Sequence, residues 1–293
     1  MADITRAEVA SLIAEEYAGT VFDGATEGSA ALQAFPHYNM GTKTTNIPVL
    51  ATLPEAAWVT DVDNSGVKST AQVTWADKTL VAEEIAVIIP IHENTLDDAT
   101  EDVLAQIAAQ GGQAIGKALD QAVFFGTNKP VSWTSSDLLA AAVAASQTYT
   151  VNPTAGADDL YGSINQASEG LDDAGFDPMS LIARGGLRFK LSNLRGSDGH
   201  LLLNGASFNG LDTTWVRNGS WDSDSATAFV VDPAKVRIGV RQDITVKFLD
   251  QATITGVGNL AEKDMVALRF KARFAYVLGS GATSEGASKV PVA

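Results

Sequence analysis

The sequence predicts an α+β fold, and three observations predict it. Residues 37–91 show no helical period; one long amphipathic helix follows directly; and a late strand alternates strictly between apolar and basic residues. The chain has 293 residues, 45% of them hydrophobic, enough to bury one large core or two of ordinary size. Its formal charge of −15 argues against a protein whose work is to grip phosphate backbones. The acid excess lies mostly in the first half of the chain. With no cysteine, disulfide frameworks, thiolate zinc sites and thiol nucleophiles are excluded, while the compartment stays open. The N-terminus lacks a basic stretch followed by an apolar one, so no secretory signal is expected and the mature chain is taken to start there. The longest apolar run, 138–145, is far shorter than a membrane span, and a soluble protein without a membrane partner is expected.

Taken in order, Thr5 and Glu8 fit a capping box, and Val9, Leu12, Ile13 and Tyr17 recur at helical spacing, predicting a short amphipathic helix over 6–18. A weaker helix is expected over 24–35, interrupted by Pro36. Both read as an arm that needs a surface to lie on. Residues 46–60 and 67–91 read as the two strands of a long hairpin around the turn-rich segment 61–66. At ~3.3 Å per residue the first strand would reach ~45 Å, well beyond the expected radius of the body. A protruding ribbon cannot bury Trp58, Val59, Val73 and Trp75 against itself, so a neighbouring subunit would have to cover them. The other reading is that the hairpin folds back into an ordinary sheet.

Thr95, followed by Asp97 and Asp98, is expected to cap a long helix over 97–125, ~43 Å long. Leu104, Ile107, Ala108, Ile115, Ala118, Leu119 and Ala122 share its buried face, Gly111-Gly112 offers a bend, and Gly126 a stop. Beyond Pro130, helices over 136–147, 158–174 and 187–194 alternate with strands over 180–183, 213–217, 228–231 and 237–248, read together as a separate α+β unit. The strand over 267–277 puts Leu268, Phe270, Ala272, Phe274 and Tyr276 on one face and Arg269, Lys271 and Arg273 on the other. The Gly-, Ser- and Ala-rich end, from 279 on, is expected to fray.

No motif carries chemistry. Gly256-Val257-Gly258-Asn259-Leu260-Ala261 has the spacing of a dinucleotide fingerprint, but a strand follows it where that motif opens a helix, so a glycine turn is expected. Asp61, Asp63, Ser65 and Gly66 begin like a calcium loop, yet Gln72 stands where the bidentate glutamate belongs. His37, His92 and His200 are isolated, and His92-Glu93 lacks a second zinc-ligand histidine. Neither a Gly-x-Ser-x-Gly elbow nor a phosphate loop is present. Asn218-Gly219-Ser220 is a sequon expected to be idle. No catalytic residue, metal or cofactor is expected, and the chain reads as a non-enzyme.

Five phrases, in order, carry a resemblance over nearly the whole chain. They are AEVASLIAEEYA (7–18), VAEEIAVIIPIHENTLDDA (81–99), IGKALDQAVFFGTNKP (115–130), IGVRQDITVKF (238–248) and NLAEKDMVALRFKARFAYVL (259–278). Together they resemble the major capsid proteins of tailed bacteriophages, whose fold is named after phage Hong Kong ninety-seven. The resemblance implies an N-terminal arm (1–41) and an extended loop (42–80) overlapping the adjacent subunit. It also implies a peripheral domain (81–130 and 255–279) with a spine helix, an axial domain (131–254) and a C-terminal tail (280–293). It implies hexamers and pentamers of an icosahedral shell in the virion, assembled in the host bacterial cytoplasm. The shell would enclose double-stranded DNA without sequence-specific binding, with a portal protein and separate scaffolding and decoration proteins as partners. Trp58, Val59, Val73, Trp75, Arg269, Lys271 and Arg273 would then be inter-subunit contacts. The nearest alternative is an encapsulin-like nanocompartment shell of the same fold, enclosing an enzyme.

Overall fold

The structure is a computed structural model of the chain and describes residues 28–52, 56, 58, 74–97, 103–149, 160–193, 208, 210–279 and 287–290. The first described elements are helix α1 (Ala30–Ala34), strand β1 (His37–Asn39), the paired strands β2 (Thr44–Thr52) and β3 (Thr74–Val81), and β4 (Glu83–His92). A helical turn, α2 (Glu93–Asp97), precedes the long helix α3 (Val103–Phe125) and then α4 (Leu138–Ala144) and α5 (Leu160–Asp173). Strand β5 (Ser180–Arg184), helix α6 (Leu187–Ser192), and strands β6 (Asp212–Val216), β7 (Ala228–Val231) and β8 (Val236–Leu249) follow. A tiny hairpin of β9 (Thr253–Ile254) and β10 (Gly258–Asn259) leads into β11 (Met265–Leu278), and β12 (Ala287–Val290) comes last.

The main sheet has the order β1-β8-β11-β4, with β11 antiparallel to both neighbours and β1 parallel to β8. The alternation in β11 works as its sequence predicts. Leu268, Phe270, Ala272, Phe274 and Tyr276 are buried, packed with Ile115, Leu119 and Ala122 of α3 and with Ile85, Val87 and Ile89 of β4. Burying each large side chain contributes about 2–3 kcal/mol. Gly111 makes the close crossing of helix and sheet possible, since a Cβ there would lie 2.8 Å from the Phe270 ring. At the far end of β11 the opposite face is also covered: Ala275 and Val277 pack with Met40, Leu80 and Ala82.

A second sheet has the order β12-β7-β5-β6, and its strands β5 and β7 are buried on both faces. Ile182, Phe229 and Val231 point into the core shared with the main sheet. Leu181, Ala183, Ala228 and Val230 point into another core, closed by Leu160, Ile164, Ala167 and Leu171 of α5. Being covered twice explains why 228–231 is an unbroken apolar run. Helix α5 stops where expected, with Gly175 at φ +82°.

Several expectations need correcting. Residues 74–91 do not form one strand: Ala82 separates β3, which pairs with β2, from β4, which pairs with β11. The Ala82 N–H donates to Lys43 O at 2.8 Å, so the chain leaves the ribbon there and enters the main sheet. Thr95 is no cap, because it lies inside α2. Helix α3 continues through Gly111-Gly112, and Gly111 serves close packing against Phe270. Ala118 is exposed, at the border of the apolar stripe. Of the weaker early helix expected over 24–35, residues 24–27 lie outside the described residues; α1 is capped by Ser29, whose side chain accepts from the Leu32 N–H. The C-terminal segment does not simply fray: β12 pairs antiparallel with β7, supplying acceptors and donors to an otherwise open edge. Within the stretch 131–254, β8 is bonded to β11 along nearly its whole length. The helix expected over 6–18 and the turn at 61–66 lie outside the described residues.

Candidate subunit interface

Among the described residues strands β2 and β3 pair only with each other, from Thr44 opposite Val81 to Thr52 opposite Thr74, with a register irregularity between Leu50 and Thr52. Nine residues of β2 give this ribbon about 30 Å. Its base is tied down firmly. Leu80 and Ala82 are buried, Lys78 Nζ donates to Leu278 O at 3.2 Å, and the Trp133 indole N–H donates to Val81 O at 3.0 Å. Further out, Asn46, Pro48 and Asp77 are exposed. Pro48, which has no N–H to give, is tolerated because each strand of a two-stranded ribbon is an edge. Trp58 is 94% exposed, an indole with no shelter in its own subunit. Trp75 sits in β3 opposite Leu50, and its side chain, like all of Val59 and Val73, lies outside the described residues.

The second group of expected contacts is on the opposite side of the main sheet from the α3 core. Arg269, Lys271 and Arg273 are half-buried there, opposite Ile88, Ala86 and Glu84 of β4. On the other flank Lys247 and Thr245 of β8, both exposed, lie opposite Arg269 and Lys271. Lys271 Nζ is 2.7 Å from Glu84 Oε2. The hydrogen bond from Lys271, with the added positive field of Lys271, Arg273 and Arg269, holds the Glu84 carboxyl below its ordinary range. The Nε atoms of Arg241, Arg269 and Arg273 are shielded from solvent with no hydrogen-bond acceptor. On a net acidic chain this face is a local basic surface, with Glu84 the carboxylate seen to pair with it among the described residues.

The structure therefore places Trp58 and the basic trio on two separate features, the ribbon and the sheet face. Sequence reasoning missed Phe189, 70% exposed on α6; its signal was the spacing, since Leu187 and Leu191 on the same short helix are both buried. It also missed Asp120, a buried carboxylate in the middle of an apolar stretch of α3.

Among the described residues no cluster of three or more metal-ligating side chains occurs, and His37 and His92 are exposed on separate strands. Gly256 and Gly258, with φ of +89° and +102°, form the turn between β9 and β10. The sequon residue Asn218 is engaged internally, its amide donating to Asp120 Oδ2 at 2.7 Å and to Gly28 O. Among the described residues no helix is long and apolar enough to cross a membrane.

Comparison with known proteins gives a consistent result. The family model described as the phage capsid family matches residues 11–280. A solved structure from Mycobacterium phage Bobi is 58% identical, with a TM-score of 0.81, covering 100% of this chain and 99% of its own. One from Mycobacterium phage Adephagia is 52% identical at the same TM-score and coverage. A chain from Microbacterium phage Oxtober96 is 41% identical, with a TM-score of 0.80 and 91% of each chain covered. Among curated protein sequences none matches.

Proposed function

We propose, from the premise that this chain belongs to the phage capsid family and is a structural capsid subunit of the virion, that its copies assemble as hexamers and pentamers of an icosahedral shell around double-stranded DNA. The family is not one of enzymes, and the chain acts through the surfaces it presents to its own copies.

The observation that carries this reading is the two-stranded ribbon, anchored at Leu80 and Ala82 and leading to a Trp58 that is 94% exposed. A lone ribbon is marginal in water, and a bare indole costs solubility, so both gain from a cover. The covering surface is an adjacent subunit. Within this reading, 1–41 is an arm, 42–80 an extended loop, 81–130 with 255–279 a peripheral domain, 131–254 an axial domain and 280–293 a tail. Strands β8 and β12 stitch these pieces together. The net charge of −15 suits a wall that confines DNA without sequence-specific adhesion. A portal protein, with separate scaffolding and decoration proteins, completes the set of partners, and assembly takes place in the host bacterial cytoplasm.

Electron microscopy of the purified or co-expressed protein tests the reading. Closed shells or capsomers are expected; a monodisperse monomer under every assembly condition overturns it.

A further inference from the structure

Two features have no part in the proposed function: the sequon step Asn218-Gly219 and the buried carboxylate of Asp120. Hydrogen bonds join them. Asn218 Nδ2 donates to Asp120 Oδ2 at 2.7 Å and to Gly28 O, while Asn218 Oδ1 accepts from the Ser220 N–H at 3.0 Å. Both donors and the carbonyl of that amide are thus in use. Asp120, fully buried on α3, also accepts from Ser29 Oγ and from the N–H groups of Ala30 and Ala31 at the start of α1. One carboxylate therefore clamps both the start of α1 and the loop after β6.

An asparagine followed by glycine is the step at which a chain most readily deamidates, because glycine has no Cβ to hinder attack by its own nitrogen. The Gly219 nitrogen bonds to Asn218 Cγ and loses its proton; the Cγ–Nδ2 bond breaks, and Nδ2 leaves as ammonia with one added proton. Water then opens the cyclic imide at either carbonyl, leaving aspartate or isoaspartate, so no oxidant or reductant is consumed. Gly219 is exposed, and water reaches the step. The obstacle is the amide's own hydrogen bonding. Turning Cγ onto the Gly219 nitrogen draws Nδ2 away from Asp120 and Gly28, and Oδ1 away from Ser220. Three bonds of ordinary strength slow the reaction about a hundredfold while the clamp is shut.

Conversion changes the clamp in turn. A carboxylate in place of the Asn218 amide has no hydrogen to give to Asp120 or to Gly28 O, and it would stand within hydrogen-bond distance of a second carboxylate. Lys117 Nζ, 3.7 Å from where a Cβ of Gly219 would lie, offers the new carboxylate a partner outside the clamp. We infer that Asn218-Gly219 is a deamidation site gated by the Asp120 clamp: it converts when α1 is released, and conversion keeps α1 from being clamped again. The gate works within one subunit and is independent of the surfaces through which copies assemble.

The full-length chain is incubated in mildly alkaline buffer, folded or unfolded in urea, and the amide-to-acid mass change is read on the peptide that carries Asn218. Conversion there is expected about a hundredfold slower in the folded chain than in the unfolded one. In folded chains Ser29→Ala and Asp120→Ala are expected to speed it in that order, the second by about tenfold or more. The other Asn-Gly steps, Asn204-Gly205 and Asn209-Gly210, are expected to keep their wild-type rates. Equal conversion in folded and unfolded chains overturns the gate, and so do equal rates with the clamp intact and cut. Ser29→Ala, which removes a single hydroxyl, decides the matter if Asp120→Ala does not fold. Asn218→Asp reads the second half of the inference. Hydrogen exchange at the Ala30 and Ala31 amides is expected about tenfold faster than in wild type; unchanged exchange overturns the one-way release.

Discussion

Ser29 Oγ donates a 2.7 Å hydrogen bond to Asp120 Oδ1, joining the start of α1 to the C-terminal part of α3 across 91 positions of sequence. The same carboxylate accepts from the N–H groups of Ala30 and Ala31, each at 3.0 Å, and from Asn218 Nδ2 at 2.7 Å. Asp120 thereby satisfies the first free donors of α1 and pins the loop after β6. It is the clamp from which the N-terminal segment departs.

Asp120→Asn sets an amide nitrogen against these donors and is expected to destabilise the subunit by about 2–3 kcal/mol, read from denaturant unfolding. Burial pushes the Asp120 carboxyl above its ordinary range, and the donors from Ser29, Ala31, Ala30 and Asn218 pull it only partly back. The folded state therefore binds this proton more tightly than the unfolded one. The stability so gained is full below the unfolded value, near 3.8, and is lost as pH rises through the raised folded value. The gap between wild type and Asp120→Asn is expected to narrow as pH is raised from about 4. A gap that widens contradicts this assignment.

Gly111→Ala should destabilise although alanine is the better helix former. Its Cβ would press the Phe270 ring at 2.8 Å, and Phe270 is fully buried. Overpacking of about 1–3 kcal/mol outweighs a propensity gain of about 1 kcal/mol. Gly41→Ala meets nothing within 4 Å and serves as the control, with an unfolding midpoint at or slightly above wild type.

Trp58→Asp should leave the isolated subunit's unfolding free energy within about 0.5 kcal/mol of wild type, since the side chain is 94% exposed. Assembly, followed by light scattering and microscopy, should fall sharply, because the substitution places an unpaired carboxylate in the covered contact. Loss of subunit stability instead would assign Trp58 to the subunit's own core.

Asp137 caps α4 by accepting from the Ala140 N–H at 3.1 Å and lies 3.7 Å from Lys129 Nζ. Asp137→Ala is expected to cost about 1–2 kcal/mol in thermal or denaturant unfolding. Asp137→Asn keeps the cap and gives up the ion pair, so its loss should be clearly smaller. Equal losses would show that the Lys129 pair, and not the cap, matters here.

Much of this architecture was legible because it rests on local periodicity. The alternation from Leu268 to Tyr276, the apolar run at 228–231 and the stop at Gly175 follow from side-chain spacing and backbone freedom within a few residues. The break at Ala82 was not legible, since both strands it separates are extended; only their different partners, β2 and β11, divide them. Strand β12 was hidden for a similar reason: its residues have little strand preference, and pairing comes from the free edge of β7. Of the candidate contact surfaces, the ribbon and the basic trio were singled out from the sequence, while the exposed Phe189 and, inside the subunit, the buried Asp120 were overlooked.

By itself the sequence determined the mixed helix and strand class, the absence of thiol chemistry, the acidic balance and the five phrases that mark the family. Tertiary structure alone decided that Asp120 is held by Ser29 and Asn218, that β8 lies beside β11, and that Arg269 and Arg273 are sheltered without acceptors. The reason is physical. Periodicity is written within one turn or one pleat, whereas hydrogen-bond partners and charge balance depend on which distant segments packing brings within about 3 Å.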